Sequence, residues 1–147
     1  MIGQILLKKA ERSDWKRILN LYSSLDDEDL EYRFFNIHHV FSDEAKQIAQ
    51  KPDHYTVLAL LGDEAIGEAT LQKSGEVSVV VSKQERGRGV GKLLFEELVA
   101  EARRRKIERL KFYTLPSNAH MIELGRAFGF RVVLHSSLEE EWALDLD

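Results

Sequence analysis

The chain has 147 residues, of which 44% are hydrophobic and 31% charged, and its formal net charge is −4. This balance predicts one globular domain over residues 1–147, excludes a disordered chain and argues against a general nucleic-acid binder. The chain has no cysteine, so disulfides, thiolate metal ligands and a cysteine nucleophile are excluded.

The N-terminal part is predicted to form one strand and three helices. A strand is expected over residues 4–9, and Ser13 is the expected N-cap of a first helix. The apolar side chains of that helix recur at helical spacing: Trp15, Ile18, Leu19 and Tyr22. A second helix is expected from Asp26 or Asp27, carrying Leu30 to Phe35, and a third from Ser42 until before Pro52.

From residue 55 onward the pattern is that of strands. Apolar or β-branched runs predict strands over residues 55–61, 65–71 and 76–81. A glycine-rich loop then opens a helix with one apolar stripe: Val90, Leu93, Leu94 and Leu98. A strand over residues 110–114, a helix from Asn118 to Gly129 and a hairpin of residues 130–134 and 141–146 complete the chain. Three successive strands before the central helix depart from β-α-β alternation, so the order predicts a mixed α/β sheet.

The glycine-rich loop is the most informative segment. It contains Arg86, Gly87, Arg88, Gly89, Val90, Gly91 and Lys92 and follows the strand that ends at Val81. Glycine permits positive φ and close approach of a ligand to the main chain. The first turn of a helix leaves its N–H groups unpaired and attracts anions, and the three basic side chains add positive charge. The loop therefore predicts a site for a phosphate or pyrophosphate.

Two common phosphate loops do not fit, and a third interpretation involves no ligand. Gly87 and Gly91 are separated by three residues rather than four, and Leu93 replaces the hydroxyl that a nucleoside-triphosphatase loop needs for magnesium. A dinucleotide fold requires G-x-G-x-x-G near the first strand, whereas this loop has G-x-G-x-G after the fourth. The third interpretation is a solvated basic turn.

The remaining pattern, Arg86-x-x-Gly89-x-Gly91, resembles the acyl-CoA-binding motif of the GNAT superfamily of N-acetyltransferases. The order of predicted elements is similar to that family, as is the segment from Asn118 to Gly129-Phe130. The stretches 30–35 and 75–81 resemble the acetyltransferase domain of bacterial protein lysine acetyltransferases. The resemblance implies a GNAT fold: a central, mixed, mostly antiparallel sheet of six to seven strands flanked by about four helices.

The resemblance also implies the ligand and its contacts. Acetyl-CoA is the expected cosubstrate, with its pyrophosphate on the glycine loop. The main chain of Val79, Val80 and Val81 is expected to bind the pantetheine arm, with an N–H available to the thioester oxygen. Asn118 is the expected cap of its helix, and the resemblance adds a hydrogen bond to the pantetheine. A helix cap alone is the alternative, and the two roles can coexist.

Glu76 is the candidate general base. In the lysine acetyltransferases a glutamate begins the strand before the glycine loop, and Glu76 stands ten residues ahead of Arg86. An amine with a pKa near 10.4 must lose a proton before it attacks, and a positioned carboxylate can remove it. A polar residue that merely begins a strand is the alternative. Because the chain has no cysteine, we expect direct attack on acetyl-CoA without a covalent enzyme intermediate.

One feature of many family members is missing. They carry a tyrosine seven residues after the asparagine, as acid for the leaving thiolate, and here that position is Gly125. Tyr113 is a substitute candidate, although a core or cleft-wall side chain is the simpler interpretation. Because a thiol has a low pKa compared with an amine, its thiolate can leave without a dedicated acid.

The acceptor is expected to be an amine, either a protein lysine or a small molecule. The acidic run from Asp26 to Glu31 borders the acceptor entrance in this family and would attract a cation, but a solvated helix start explains it too. A non-catalytic acyl-CoA sensor is a further alternative, since it needs the loop but no base. A homodimer through a sheet edge or the C-terminal strand is left open.

Sequence patterns give no sign of a membrane segment or a metal. The stretch Met1–Leu7 lacks the basic lead and the length of a signal peptide, and no later run approaches the roughly 20 apolar residues of a membrane span. The five histidines show no metal-ligand spacing. We therefore expect a cytoplasmic protein without a metal, a membrane contact or a nucleic-acid partner.

Overall fold

A computed structural model describes residues 4–36 and 38–146, so the first three residues of the stretch Met1–Leu7 lie outside the described part. The elements in chain order are β1 (Ile5–Lys9), α1 (Trp15–Ser23), α2 (Asp27–Phe34), α3 (Ser42–Ala49), β2 (His54–Leu61), β3 (Glu64–Gln72), β4 (Val77–Val81), α4 (Val90–Arg104), β5 (Arg109–Thr114), α5 (Ala119–Ala127), β6 (Arg131–His135) and β7 (Glu140–Asp145). Short 3₁₀ turns at Arg12–Asp14 and Lys83–Glu85 precede α1 and the glycine loop.

The described strands form two antiparallel sheets. The first has the order β1-β2-β3-β4 and the second has the order β5-β7-β6. A single parallel bridge between Glu76 and Lys111 joins them at the start of β4 and β5. These seven strands thus give the mixed, mostly antiparallel arrangement that the sequence predicts, with five α-helices around it.

Helices cover both faces of the first sheet. Alternate residues of β2 belong to different cores: Val57 and Ala59 pack under α4, and Leu58 and Leu60 pack under α1 to α3. A strand that is buried on both faces needs apolar residues at every position, which is why β2 appears in the sequence as a continuous apolar run. The first sheet is therefore the central layer of the molecule.

The start of α4 approaches the sheet closely at Gly67 on β3. A Cβ atom built at Gly67 would lie 2.8 Å from Cδ1 of Leu94 and 3.1 Å from Cγ1 of Val90. Since these are residues of the first turns of α4, the missing side chain lets the N-terminus of the helix lie against the sheet. This contact fixes the glycine loop, which immediately precedes α4.

The predicted N-cap of the first helix is wrong. Ser13 lies inside the 3₁₀ turn, and the residue that precedes α1 is Asp14. The carboxylate of Asp14 is buried, accepts a hydrogen bond from the N–H of Glu11 at 2.8 Å, and is paired with Lys8 at 2.6 Å and Arg17 at 2.7 Å. These charged partners are stronger than the single hydrogen bond that a serine cap accepts, so they set the start of the helix.

Candidate active site

The glycine loop turns the chain from the end of β4 into α4 through two left-handed residues. Gly87 has φ 82° and Gly89 has φ 79°, a region that side-chain-bearing residues avoid. Gly89 is the N-cap of α4, and the first helical hydrogen bond runs from the N–H of Leu93 to the carbonyl of Gly89 at 3.0 Å. The sequence-predicted loop and helix start are therefore both present.

The main-chain N–H groups of this segment are unpaired. Within residues 4–36 and 38–146, no N–H from Gly87 to Lys92 donates to a protein acceptor. A helix N-terminus with free donors and the positive end of the dipole is an anion site. The segment is thus able to bind a diphosphate through its backbone.

The basic side chains of the loop differ from one another in their partners. Arg86 donates to the buried carboxylate of Asp29 at 2.6 Å and to the carbonyl of Val81 at 3.3 Å, and Arg88 is paired with Glu85. Lys92 has no ion pair with any residue that the structure describes. Carboxylates therefore already balance two of the three positive charges of the loop. The main-chain N–H groups and Lys92 remain available to an anion.

The outer edge of β4 pairs with no strand beyond the bridge at Glu76 in the described ranges. On the inner edge, the N–H of Ser82 donates to Ile66 and the carbonyl of Glu76 accepts from Gln72, both residues of β3. Residues that bond to one neighbour alternate along an antiparallel strand, so the even-numbered residues of β4 bond to β3. The N–H and C=O groups of Val79 and Val81 consequently face outward, and of these only the Val81 carbonyl has a partner among the described residues, Arg86 at 3.3 Å.

A cavity of about 490 Å³ is lined by β4, the glycine loop with the start of α4, helix α2, and the start of α5. Its wall contains most of the residues predicted for the cofactor: Val79, Val80, Val81, Arg86, Gly87, Gly89, Val90, Gly91, Lys92 and Asn118. Arg88 and Glu76 are the predicted residues that do not line it. One cavity therefore brings together the loop, the free strand edge and the start of α5.

Asn118 has the cap geometry that the sequence predicts. Its Oδ1 accepts a hydrogen bond from the N–H of Met121 at 3.2 Å, which satisfies one of the unpaired donors of α5. The Nδ2 group has no partner among the described residues, and the side chain lines the cavity. Capping leaves the amide nitrogen available to a carbonyl oxygen in the cleft.

Glu76 stands where the two sheets separate. Its backbone forms the bridge to Lys111, and its carboxylate accepts a hydrogen bond from Nε2 of Gln72 at 3.1 Å. Side chains alternate along a strand, so the half-buried Glu76 points to the same face as Val80, the face covered by α1 to α3. It lies beyond the end of the cavity at Val79, at the closed end of the opening.

Helix α2 supplies cavity residues that the motifs did not indicate. Glu28, Asp29, Tyr32 and Arg33 line the cavity, and the hydroxyl of Tyr32 donates to the carbonyl of Ser117 at 3.2 Å across the cleft. Asp26 is paired with Lys83, and this pairing lowers the pKa of Asp26 to about 2. The acidic run at the start of α2 is therefore tied to the segment after β4 at two points: Asp26 pairs with the 3₁₀ turn and Asp29 with the glycine loop. In the sequence, the signal that could have indicated these α2 residues was the resemblance of residues 30–35 to lysine acetyltransferases.

The position of the missing tyrosine is closed. A Cβ atom at Gly125 would lie 2.6 Å from Cζ of Phe112, a buried core residue. A side chain at this position would therefore enter the core and not the cleft. Tyr113 is half-buried on β5 and does not line the cavity.

Two further features are absent from the described ranges. No group of three or more His, Cys, Asp or Glu side chains is arranged to hold a metal ion. None of the helices there combines the length and the hydropathy that crossing a membrane requires.

The chain resembles known proteins over most of its length. Residues 15–130 match the acetyltransferase (GNAT) family. The GNAT domain of S. lividans PAT is 24% identical, with 98% of this chain and 92% of that chain covered at a TM-score of 0.91. The protein yncA of Salmonella typhimurium, solved with its cofactor acetyl-CoA, is 20% identical over 99% of this chain and 95% of its own, with a TM-score of 0.81. Ribosomal-protein-alanine N-acetyltransferase from Brucella melitensis is 23% identical over 96% and 99%, with a TM-score of 0.79.

Proposed function

Because the chain belongs to the acetyltransferase (GNAT) family and is an acetyl-CoA-dependent N-acetyltransferase, we propose that it moves the acetyl group directly onto an amine, with Glu76 as the base. The acceptor amine is that of a protein lysine or of a small molecule. The proposal covers residues 1–147 as one catalytic domain.

The observation that carries the proposal is the set of free backbone groups on two sides of one cavity. The unpaired N–H groups from Gly87 to Lys92 suit the diphosphate of CoA. The outward N–H and C=O groups of Val79 and the N–H of Val81 suit the amides of the pantetheine arm, which then extends β4 as an extra strand would. This direction brings the thioester toward Glu76, at the closed end of the opening.

The chemistry requires one proton transfer and one displacement. The amine nitrogen attacks the thioester carbonyl carbon, a new C–N bond forms, and the C–S bond breaks with the electron pair on sulfur. Glu76, directly or through one water, accepts the proton that the amine loses. A main-chain N–H of β4 stabilises the negative charge on the carbonyl oxygen during the attack. The thiolate leaves without an acid from position 125, where Gly125 packs against the core.

Substitution of Glu76 tests the base. Glu76→Gln retains the side-chain size and a hydrogen bond to Gln72 but cannot take the proton, so kcat is expected to fall about 10²- to 10⁴-fold. The loss should be largest near neutral pH, where little free amine is present, and CoA affinity should not change. Steady-state release of thiol and calorimetry measure these two effects. An unchanged kcat would remove Glu76 from the mechanism.

An acceptor screen tests the function itself. Purified protein is incubated with acetyl-CoA and a panel of lysine peptides, polyamines and amino acids, and thiol release is recorded. Turnover with any amine supports the proposal. Tight CoA binding without turnover on every acceptor supports a non-catalytic sensor, and absence of CoA binding contradicts the assignment of the site.

A further inference from the structure

Arg33 on α2 is a cation of the cavity wall that lacks a carboxylate partner. It lines the cavity, yet it has no ion pair with any residue of the described ranges. Its Nε donates to the hydroxyl of Tyr22 at 3.1 Å, and this is its one hydrogen bond there. A guanidinium has five N–H donors, so four of them are left on the two terminal nitrogens.

The orientation of Arg33 is fixed from two sides. The guanidinium carbon lies 4.7 Å from the ring centre of Phe34, which supports it as a cation–π contact. Tyr22, which accepts from Nε, is itself held because its hydroxyl donates to Glu68 at 2.5 Å. A side chain that is fixed in this way loses little entropy when a ligand binds.

Glu68 does not neutralise Arg33 directly. This carboxylate has 0% exposure on β3, and its two oxygens accept from Tyr22 and, at 2.7 Å, from Thr70. Tyr22 stands between the two charges, and burial, with the nearby charge of Glu68, raises the pKa of Tyr22, so its hydroxyl remains protonated. The network therefore holds the arginine in place at the cavity wall and leaves its terminal nitrogens without a protein partner in the described ranges. No fully buried side-chain nitrogen or oxygen of the described residues lacks a partner, so these nitrogens are accessible.

Arg33 lies at the reacting end of the cleft. Glu68 is opposite Val80 in the sheet register, so the Arg33–Tyr22–Glu68 network covers the same face of β4 to which Glu76 points.

We propose that Arg33 binds a carboxylate of the acceptor, so that the acceptor is a small amine that also carries a carboxylate, such as an amino acid. This inference rests on the proposed function and narrows it. Two parallel N–H donors of a guanidinium match the two oxygens of a carboxylate, and the pair is stronger when water is excluded. The amine of the same molecule is then directed toward Glu76.

Matched acceptors test this assignment. Amino acids with increasing separation between amine and carboxylate are compared with the corresponding carboxamides, which keep the amine and lose the negative charge. For the amino acid with the best separation, the wild-type protein is expected to show a kcat/KM at least tenfold higher than for the corresponding carboxamide. Arg33→Met should lower kcat/KM for those carboxylates about 10- to 100-fold and leave the carboxamides nearly unchanged.

Two further variants keep the test decisive. Arg33→Lys retains the positive charge but lacks the two parallel donors, so it should recover part of the preference for carboxylates over carboxamides. This variant keeps the test valid if Arg33→Met folds poorly. Arg105→Met is the matched control, because Arg105 also stacks on an aromatic ring, Tyr55 at 5.4 Å, but does not line the cavity. Its kinetics should equal those of the wild type, and CoA affinity should be the same in all three variants.

The outcomes separate the two proposals. Equal rates for carboxylates and carboxamides, an equal loss of both in Arg33→Met, or a clear preference for lysine peptides would overturn the role of Arg33 while the acetyltransferase activity stands. Absence of turnover with every amine would contradict the activity and the role of Arg33 together.

Discussion

At the scale of single residues, the loop depends on two backbone conformations that glycine adopts without strain. Gly87 and Gly89 both have positive φ, and a Cβ atom at either position would have nothing within 4 Å. The glycines are therefore not required by packing inside the protein. They are required by the turn itself and by any ligand that approaches its N–H groups.

Replacement of Gly89 by valine is expected to abolish CoA binding. A β-branched residue is strained at φ 79°, so the turn must change and the amides from Gly87 to Lys92 cease to converge. We expect at least a tenfold loss of affinity by calorimetry. Gly62→Val is the matched control, since Gly62 has φ 62°, is equally open and lies in the β2–β3 turn outside the cavity. Similar loss of affinity in both variants would show that the effect is one of general stability.

At the scale of elements, α2 connects two parts of the cavity wall. Its N-cap Asp26 is paired with Lys83 of the 3₁₀ turn, its first turn is paired with the glycine loop through Asp29–Arg86, and its last turn carries Arg33. The carboxylates of Asp26 and Asp29 also cap the helix reciprocally. The acidic run is thus a structural link between two parts of the site, and it is not simply a solvated face.

The start of helix α1 is held by a paired carboxylate, Asp14, and this predicts that the free energy of unfolding depends on pH. Burial by itself would raise the pKa of Asp14, but hydrogen bonds from Lys8, the Glu11 N–H and Arg17 outweigh it and lower the pKa. A lowered folded pKa means that the stabilisation is complete above the unfolded value of about 3.9 and is lost as pH falls through the folded pKa. Asp14→Asn should therefore cost about 2–3 kcal/mol of unfolding free energy at neutral pH.

Denaturant titrations at several pH values check this expectation. The difference between wild type and Asp14→Asn should shrink as pH falls below about 4. Asp63→Asn serves as the control, because Asp63 pairs with the same Arg17 at 3.6 Å but is fully exposed. Its stability should equal that of the wild type. A pH-independent effect of Asp14→Asn would mean that packing, and not the charge, matters at this position.

At the scale of the whole molecule, the site exists because two sheets separate. β4 and β5 share one bridge at Glu76 and are not paired beyond it in the described ranges, and the cavity lies along β4 after that bridge. The outer edge of the second sheet is β6, where Val132 and Val133 are each 47% and Leu134 is 66% exposed. An exposed apolar edge strand is suited to pairing with another strand, and the homodimer that the sequence leaves open stays a prediction.

CoA is expected to stabilise the whole domain. A ligand that binds only the folded state adds about 2.7 kcal/mol at 100 times its Kd. The midpoint of denaturant unfolding should therefore rise with CoA concentration, and pantetheine, which lacks the diphosphate, should raise it less. Gly89→Val should show no rise with CoA. A CoA-independent midpoint in the wild type would contradict the proposed site.

The sequence by itself determined the order of the elements and the turn of the glycine-rich loop. Both are local: apolar spacing specifies helices and strands, and Gly87, Gly89 and Gly91 specify a turn whose donors belong to consecutive residues. The cap at Asn118 is of the same kind, since its partner is Met121. The start of α1 was misjudged because Asp14 takes part of its stabilisation from Lys8, on a different element.

Only the tertiary structure decided which charges are free and where the site ends. Arg86 and Arg88 look alike in the sequence as cations for a phosphate, yet both are paired, Arg86 with a carboxylate 57 positions away. Arg33 lies in no loop motif, and it becomes part of the cavity wall because Tyr22 and Phe34 hold it at a cavity that β4 and α5 also line. Partners that are distant in the chain meet only through packing, and spacing along the sequence carries no information about which of them neutralises a given charge.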